Sequence, residues 1–257
     1  MSLVLAIVNQ KGGVGKTTTV VNLSAFLAAK GKKTLLLDLD PQGNSTSGLG
    51  FKKNSLNKTI YDVLINEEPL QNAVYESGRN KLHLCPANID LAGSELELVS
   101  TVSRETVLKR ALADLRKQYD YVLIDCPPSL GLLTVNALTA ADSILVPIQS
   151  EYYALEGVSQ LLDTVTLIKR SINPQLTIFG VIITMFDSRT QLAHLVASDV
   201  RRHFGDRVFR TIIPRNVRLS EAPSFGKTII EYDPKSKGAE SYDALAREII
   251  RRAEGVY

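Results

Sequence analysis

Near-continuous apolar runs recur along the chain: LVLAIVN at 3–9, KTLLLDLD at 33–40, YVLIDCPP at 121–128, SILVPIQ at 143–149 and LTIFGVIIT at 176–184. Apolar at consecutive rather than alternate positions, they predict strands buried on both faces. Amphipathic stretches lie between them. The first, TTVVNLSAFLAAKGK, runs out at Gly31, where a glycine cap is expected to end a helix. Strand–helix alternation of this kind predicts an α/β fold in three layers, a mostly parallel sheet with helices on both faces. No internal repeat, low-complexity tract or linker breaks the pattern, so a single domain over residues 1–257 is expected.

Composition narrows the class. A chain of 257 residues that is 44% apolar can bury one large core. Cys85 and Cys126 stand far apart and in no metal-ligand spacing, which suits a reduced cytosolic protein. His83, His194 and His203 are equally isolated. No apolar run reaches the length of a membrane span, and LVLAIVN is too short for a signal peptide. The chain reads as soluble and cytoplasmic. Its net charge is +3, and residues 187–257 hold 13 Lys and Arg against 10 Asp and Glu, leaving 17 against 17 elsewhere. On composition alone that excess describes a solvated basic face.

Chemistry enters at NQKGGVGKTTT, Asn9 to Thr19. It departs from the phosphate-loop pattern G-x-x-x-x-G-K-[ST] in having Gln10 where the first glycine belongs, and it carries a second lysine, Lys11. Gly12, Gly13 and Gly15 let backbone N–H groups turn towards an anion, and the helix opening near Lys16 adds its positive end. Lys16 is expected on the β- and γ-phosphates, and the Thr17 hydroxyl on Mg²⁺. A second site residue follows in YVLIDCPPS, where Asp125 ends a buried strand at the sheet edge that binds ligands and can hold Mg²⁺ through a water. The third segment is LLLDLDPQGNSTSGLG. Asp38 and Asp40 alternate, Pro41 is expected to end the strand, and Asp40 then stands at the junction, able to orient an attacking water. The polar tract from Gln42 to Gly50 reads as a loop that orders around a γ-phosphate.

KGGVGKTT with Lys11 resembles the deviant Walker A motif of the ParA/MinD group of P-loop ATPases. DLDPQGN, IDCPPSLG, EYYALEG and IPRNVRLSEAPS together resemble its chromosomal ParA (Soj) branch, and the similarity runs from Leu3 to about Ala246. The resemblance implies a P-loop NTPase fold and a homodimer that sandwiches two ATP molecules, with Lys11 reaching the partner's nucleotide. A cation supplied in trans would stabilise charge developing in phosphoryl transfer, as an arginine finger does. It further implies that Lys11, Gly12, Gly13, Val14, Gly15, Lys16, Thr17 and Thr18 bind phosphate, that Asp40 is the acid needed for hydrolysis, and that Pro214 and Asn216 hold adenine. Cofactors would be ATP and Mg²⁺.

The same resemblance implies that the ATP dimer binds double-stranded DNA without sequence preference, with Arg189 and Arg218 at the matching positions. Lys227, Arg201 and Arg202 are further cations there, although Arg201 and Arg202 follow an amphipathic helix, where paired arginines ordinarily make a solvated face. A ParB-type partition protein would stimulate a weak intrinsic ATPase, and the chain would be nucleoid-associated in the cytoplasm. The alternative, a MinD-like membrane ATPase, needs a basic amphipathic helix with bulky anchors. YDALAREIIRRAEGVY offers only Leu245, Ile249 and Ile250 and no Phe or Trp, so that stripe is expected to pack on the body and no stable membrane association is expected. Cys126 and Cys85 lack the spacing of an iron–sulfur reductase. A first strand at residue 3 leaves no N-terminal operator-reading domain of the kind plasmid members often carry, so sequence-specific repression is not expected.

Overall fold

The computed structural model describes residues 2–151 and 156–255, with backbone only for residues 156 and 157. The EYYALEG stretch therefore lies mostly outside the described residues.

The predicted apolar runs form strands β1 (Leu3–Ile7), β2 (Thr34–Asp38), β5 (Tyr121–Asp125), β6 (Ser143–Gln149) and β7 (Thr177–Thr184). Two further strands, β3 (Tyr75–Arg79) and β4 (Leu82–Cys85), make a hairpin at one edge. The seven-stranded sheet runs β3-β4-β2-β5-β1-β6-β7, parallel except for β3 against β4. β3 reads YESGR and is half exposed along its length, as an edge strand can be. Its polarity hid it from the hydrophobic pattern.

Helices α1 (Lys16–Ala29), α2 (Asn44–Gly48), α3 (Ile60–Ile65), α4 (Ser94–Leu98), α5 (Val107–Leu112) and α6 (Leu132–Ala140) precede β6, and α7 (Glu156–Ser171) precedes β7. After β7 come α8 (Gln191–Phe204), α9 (Val217–Glu221), α10 (Ile229–Tyr232) and α11 (Lys237–Ala253). Successive strand residues point to opposite faces. Val4, Ala6, Leu35, Leu37, Val122 and Ile124 join one core with helices α3 to α8. Leu5, Ile7, Leu36, Leu123, Leu145 and Ile182 join a second core with α1 and α11. The three layers expected from the sequence are these.

α1 ends where predicted. The Gly31 N–H donates to Ala28 O at 2.9 Å and the Lys32 N–H to Leu27 O at 3.1 Å, a glycine-capped terminus with Gly31 at φ 83°. The apolar stripe of α11 packs inward, with Leu245 and Ile249 fully buried, and Tyr242 OH lies 3.1 Å from Thr19 Oγ1 of α1. Among the described residues no helix is long and apolar enough to cross a membrane.

Candidate functional site

β2, β5 and β1 are neighbours, and β1 lies where the chain order reverses between β5 and β6, so their C-terminal tips share one crevice. The loop after β1 is pinned on both sides. Asn9 Nδ2 donates to Pro147 O at 2.7 Å, Asn9 Oδ1 accepts from the Lys11 N–H at 2.9 Å, and Thr184 Oγ1 donates to Val14 O at 2.8 Å. Gly13 (φ 76°) and Gly15 (φ 85°) take the left-handed backbone that lets consecutive N–H groups face one way. A Cβ built on Gly12 or Gly13 meets nothing within 4 Å, so the loop opens onto empty space rather than onto packed protein. Gly15 leads directly into α1.

Lys16 is buried at the start of α1 and donates to Lys11 O at 3.1 Å. Burial lowers its pKa, and the charges of Asp125 and Asp40 oppose that shift. The Thr17 hydroxyl lies beside the Asp125 carboxylate and helps hold its pKa down against burial, and Thr18 follows on the same turn, its carbonyl accepting from Asn22 Nδ2 at 2.8 Å. Lys11 points elsewhere. Its Nζ lies 3.0 Å from Glu151 Oε2 at the half-exposed rim.

Asp125 is fully buried at the tip of β5, in register with Asp38 on β2. Ser45 Oγ donates to Asp125 Oδ2 at 2.7 Å, while Oδ1 is buried and has no protein partner. Asp38 Oδ2 accepts from both the N–H and the hydroxyl of Thr46, each at 2.7 Å. Desolvation pushes both carboxyls upward, and for Asp38 the neighbouring Asp125 charge adds to it. Two buried acids side by side resist joint ionisation until a cation arrives.

The segment after β2 differs from expectation in two respects. The strand stops at Asp38, two residues before Asp40, and the Gln42–Gly50 tract is not a loop but contains helix α2. Ser45 and Thr46 explain the helix, since their hydroxyls bind the buried acids and fix one turn against the sheet. Asp40 sits just beyond the strand, nearly buried, with Oδ1 accepting from the Gln42 N–H at 2.9 Å. Neither Ser45 nor Thr46 was singled out from sequence. The available signal was a Ser-Thr pair in a polar tract directly after two acids.

Pro214 and Asn216 follow a crossing with the end of β7, where Phe186 N–H donates to Ile213 O and Arg215 N–H to Phe186 O, both at 3.1 Å. Through Thr184 this crossing adjoins the glycine loop, and Asn216 Oδ1 caps α9 by accepting from the Arg218 N–H at 2.9 Å. The same crossing brings the Arg189 and Arg218 segments side by side. Arg189 makes a forked pair with Asp187 at 2.7 and 2.8 Å, which holds the Asp187 carboxyl far below the usual range, and Arg215 adds to that field. Arg218 pairs with Glu221 at 2.9 Å and with Asp233 at 3.6 Å. Lys227, Arg201 and Arg202 are exposed, the last 3.2 Å from Asp199. Arg215, exposed between the two segments, is a cation that charge counting along the chain did not single out.

The donor set suits a magnesium triphosphate. Among the described residues no group of three or more His, Cys, Asp or Glu could grip a metal alone. Mg²⁺ takes few protein ligands and leans on phosphate oxygens, so one hydroxyl, Thr17, and one acid, Asp125, are sufficient. The partnerless Asp125 Oδ1 faces that role.

Comparison with known proteins agrees with this geometry. The family model described as an AAA domain matches residues 2–178. The sporulation initiation inhibitor protein Soj of Bacillus subtilis is 56% identical over 249 residues, 97% of this chain and 98% of that protein. The chromosome partitioning protein ParA of Myxococcus xanthus is 56% identical over 97% of this chain and 88% of its own length. Among solved structures, cobyrinic acid a,c-diamide synthase from Mycobacterium smegmatis with bound ADP and magnesium superposes with a TM-score of 0.87 at 40% identity, over 100% of this chain and 97% of that one.

Proposed function

Given that the chain belongs to the Soj/ParA family of chromosome-partitioning ATPases, we propose that its ATP-bound dimer is a nucleotide-switched clamp on nonspecific double-stranded DNA. The chain is an ATPase with ATP and Mg²⁺ as cofactors. A ParB-type partner stimulates hydrolysis and releases the clamp, and residues 1–257 act as one ATPase domain of the nucleoid-associated cytoplasm.

The observation that carries this reading is Asp125, buried beside Thr17 with one oxygen on Ser45 and the other without a protein partner. When bound, Mg²⁺ would supply positive charge to the phosphate oxygens. Gly12 to Thr18 hold the phosphates through backbone N–H groups, and Lys16 adds a cation that is already desolvated and so interacts strongly. Thr17 and Asp125 would hold the metal. Asp40, outside the strand and beside the Gln42 turn, positions water and accepts its proton. Pro214 stacks on adenine while Asn216 addresses its edge.

Lys11 supplies the trans contact. In the lone chain its ammonium rests on Glu151, an exposed pair of small worth that a partner's phosphates can displace. Dimerisation then doubles the DNA contacts. Two phosphate contacts per monomer give a slope of about −1.8 in log K against log salt, and pairing the subunits brings it to roughly −3.6. Affinity compounds because the second set is held at high local concentration. The burial of Leu245 and Ile249 in α11 favours DNA over a MinD-like membrane anchor, which needs that stripe exposed.

The test is binding to a nonspecific duplex by fluorescence anisotropy with ATP and with ADP, alongside anionic liposomes. DNA binding confined to ATP and lost in Lys16→Ala is the expected result. Liposome binding without DNA binding would overturn the reading in favour of the membrane alternative.

A further inference from the structure

Arg79 lies in the edge strand β3, far in sequence from every motif above, yet its side chain is largely buried and fully engaged. Nη1 donates to Leu49 O at 2.9 Å and Ser77 O at 3.2 Å, and Nη2 donates to Gly226 O at 3.1 Å. Nε and Nη2 reach Glu231 Oε2 at 2.9 and 2.8 Å. One guanidinium thus joins the turn after α2 to the segment before Lys227 and to α10. The backbones meet there as well. A Cβ on Gly226 would lie 2.7 Å from Gly50 Cα, and Gly226 (φ 62°) and Gly50 (φ 90°) both take the left-handed conformation that favours glycine.

We propose that Arg79 is a positioning residue that carries the nucleotide state of α2 to the DNA-facing arginine Arg218. The proposal rests on the partition reading above. At one end, α2 is fastened to the metal-binding acid, because Ser45 Oγ donates to Asp125. A cation arriving at the free Oδ1 draws on the charge of the same carboxylate and weakens the Ser45 bond to Oδ2, and α2 responds. At the other end, Glu231 also caps α10, accepting from the Thr228 N–H and hydroxyl at 2.8 Å each. The next residue, Tyr232, donates to Glu221 Oε2 at 3.0 Å, the same oxygen that pairs with Arg218. Asp233 beyond it is the second acid on Arg218. A shift of α2 is therefore passed through Arg79 and Glu231 to Tyr232 and Asp233, which set how tightly Arg218 is masked. Dimerisation multiplies contacts, whereas this relay sets the availability of one contact within each subunit.

The test compares wild type with Arg79→Ala, Arg79→Lys and Gly226→Ala, measuring DNA affinity with ATP and ADP, nucleotide affinity, ATP-dependent self-association by sedimentation, and melting temperature. In Arg79→Ala the ratio of ATP-state to ADP-state DNA affinity is expected to fall about tenfold, an ordinary coupling magnitude, with nucleotide binding and self-association retained. Gly226→Ala, which forces the backbones apart without touching a charge, is expected to do the same. Arg79→Lys, which keeps the charge but lacks the fork, is expected to fall between. A lowered melting temperature with the ratio preserved in both Arg79→Ala and Gly226→Ala would make Arg79 a structural staple and overturn the relay. Absence of any ATP-to-ADP difference in wild type would overturn the partition reading and the relay with it.

Discussion

The crevice at the tips of β1, β2 and β5 and the surface carrying Arg189 and Arg218 both present cations, in opposite ways, and under the proposed function each meets phosphate. Among the described residues of the crevice the buried cation is Lys16, the acids are buried beside it, and left-handed glycines shape the backbone loop next to it. On the outer surface the cations are exposed, and both arginines already hold carboxylates, Asp187 for Arg189 and Glu221 with Asp233 for Arg218. A buried preorganised receptor binds one ligand in one pose. An exposed, self-paired one binds weakly and tolerantly, which suits a DNA backbone read without sequence. Under the proposed function the comparison teaches that affinity and switching belong to the crevice, while the surface would need multiplicity.

Removing Lys11 is expected to have the largest effect, because under the proposed function this exposed cation completes the partner's buried site. Lys11→Ala is expected to lower turnover by about 10³–10⁵-fold, the scale of a cation delivered in trans. ATP-dependent self-association should disappear with it, measured by sedimentation alongside phosphate release. Turnover close to wild type would remove the trans role and leave Lys11 as the partner of Glu151. Asp40→Ala is next, with turnover down by about 10²–10⁴-fold as for a lost general base. Here DNA binding with ATP should persist, which separates holding the nucleotide from spending it. Unchanged turnover in Asp40→Ala would turn the protein into a scaffold that hardly needs hydrolysis.

The difference between the regions also explains what the sequence disclosed. The crevice was legible because its geometry is local. Gly12 to Thr17 lie consecutively, and Asp125 ends an apolar run that could only be a buried strand. Helix α2 was misread because its cause is remote: Ser45 and Thr46 are helical through hydroxyls bonded to Asp125 and Asp38, eighty and eight residues away. The hairpin of β3 and β4 escaped because an edge strand need not be apolar. On the outer surface, counting cations pointed to residues 187–257 and no further. Counting did not weigh the acids that pair with them. Asp187 and Glu221 are near neighbours of their arginines in sequence, whereas Asp233 on Arg218 and Arg215 beside Asp187 are brought in by tertiary contacts, the latter by the crossing of Phe186 with Pro214.

Arg218→Ala sharpens the surface half of the comparison. The salt slope of DNA binding should flatten by about 0.9 per subunit, one phosphate contact each, while ATP affinity stays at the wild-type value. An unchanged slope would remove Arg218 from the DNA face and leave it as a clasp between Glu221 and Asp233.

The smallest expected effect is the most specific to this structure. If Arg218 is masked by its own carboxylates, freeing it should tighten DNA binding. Glu221→Gln keeps the shape and can still accept from Tyr232, but removes the negative charge that pairs with Arg218. The gain is expected to be about twofold to fivefold at low salt, the scale of an exposed ion pair, and to shrink as salt rises. The pH dependence has a definite sign. Arg218 first, then Tyr232, holds the Glu221 carboxyl below its ordinary value, so masking is in force above the usual glutamate range and fades only as pH falls through the lowered value. Wild type should therefore approach Glu221→Gln affinity at acid pH, and the variant should show less change over the same interval. Equal affinities at neutral pH and low salt would mean that DNA displaces Glu221 without cost, and that the surface is as open to phosphate in its paired state as the crevice is in its preorganised one.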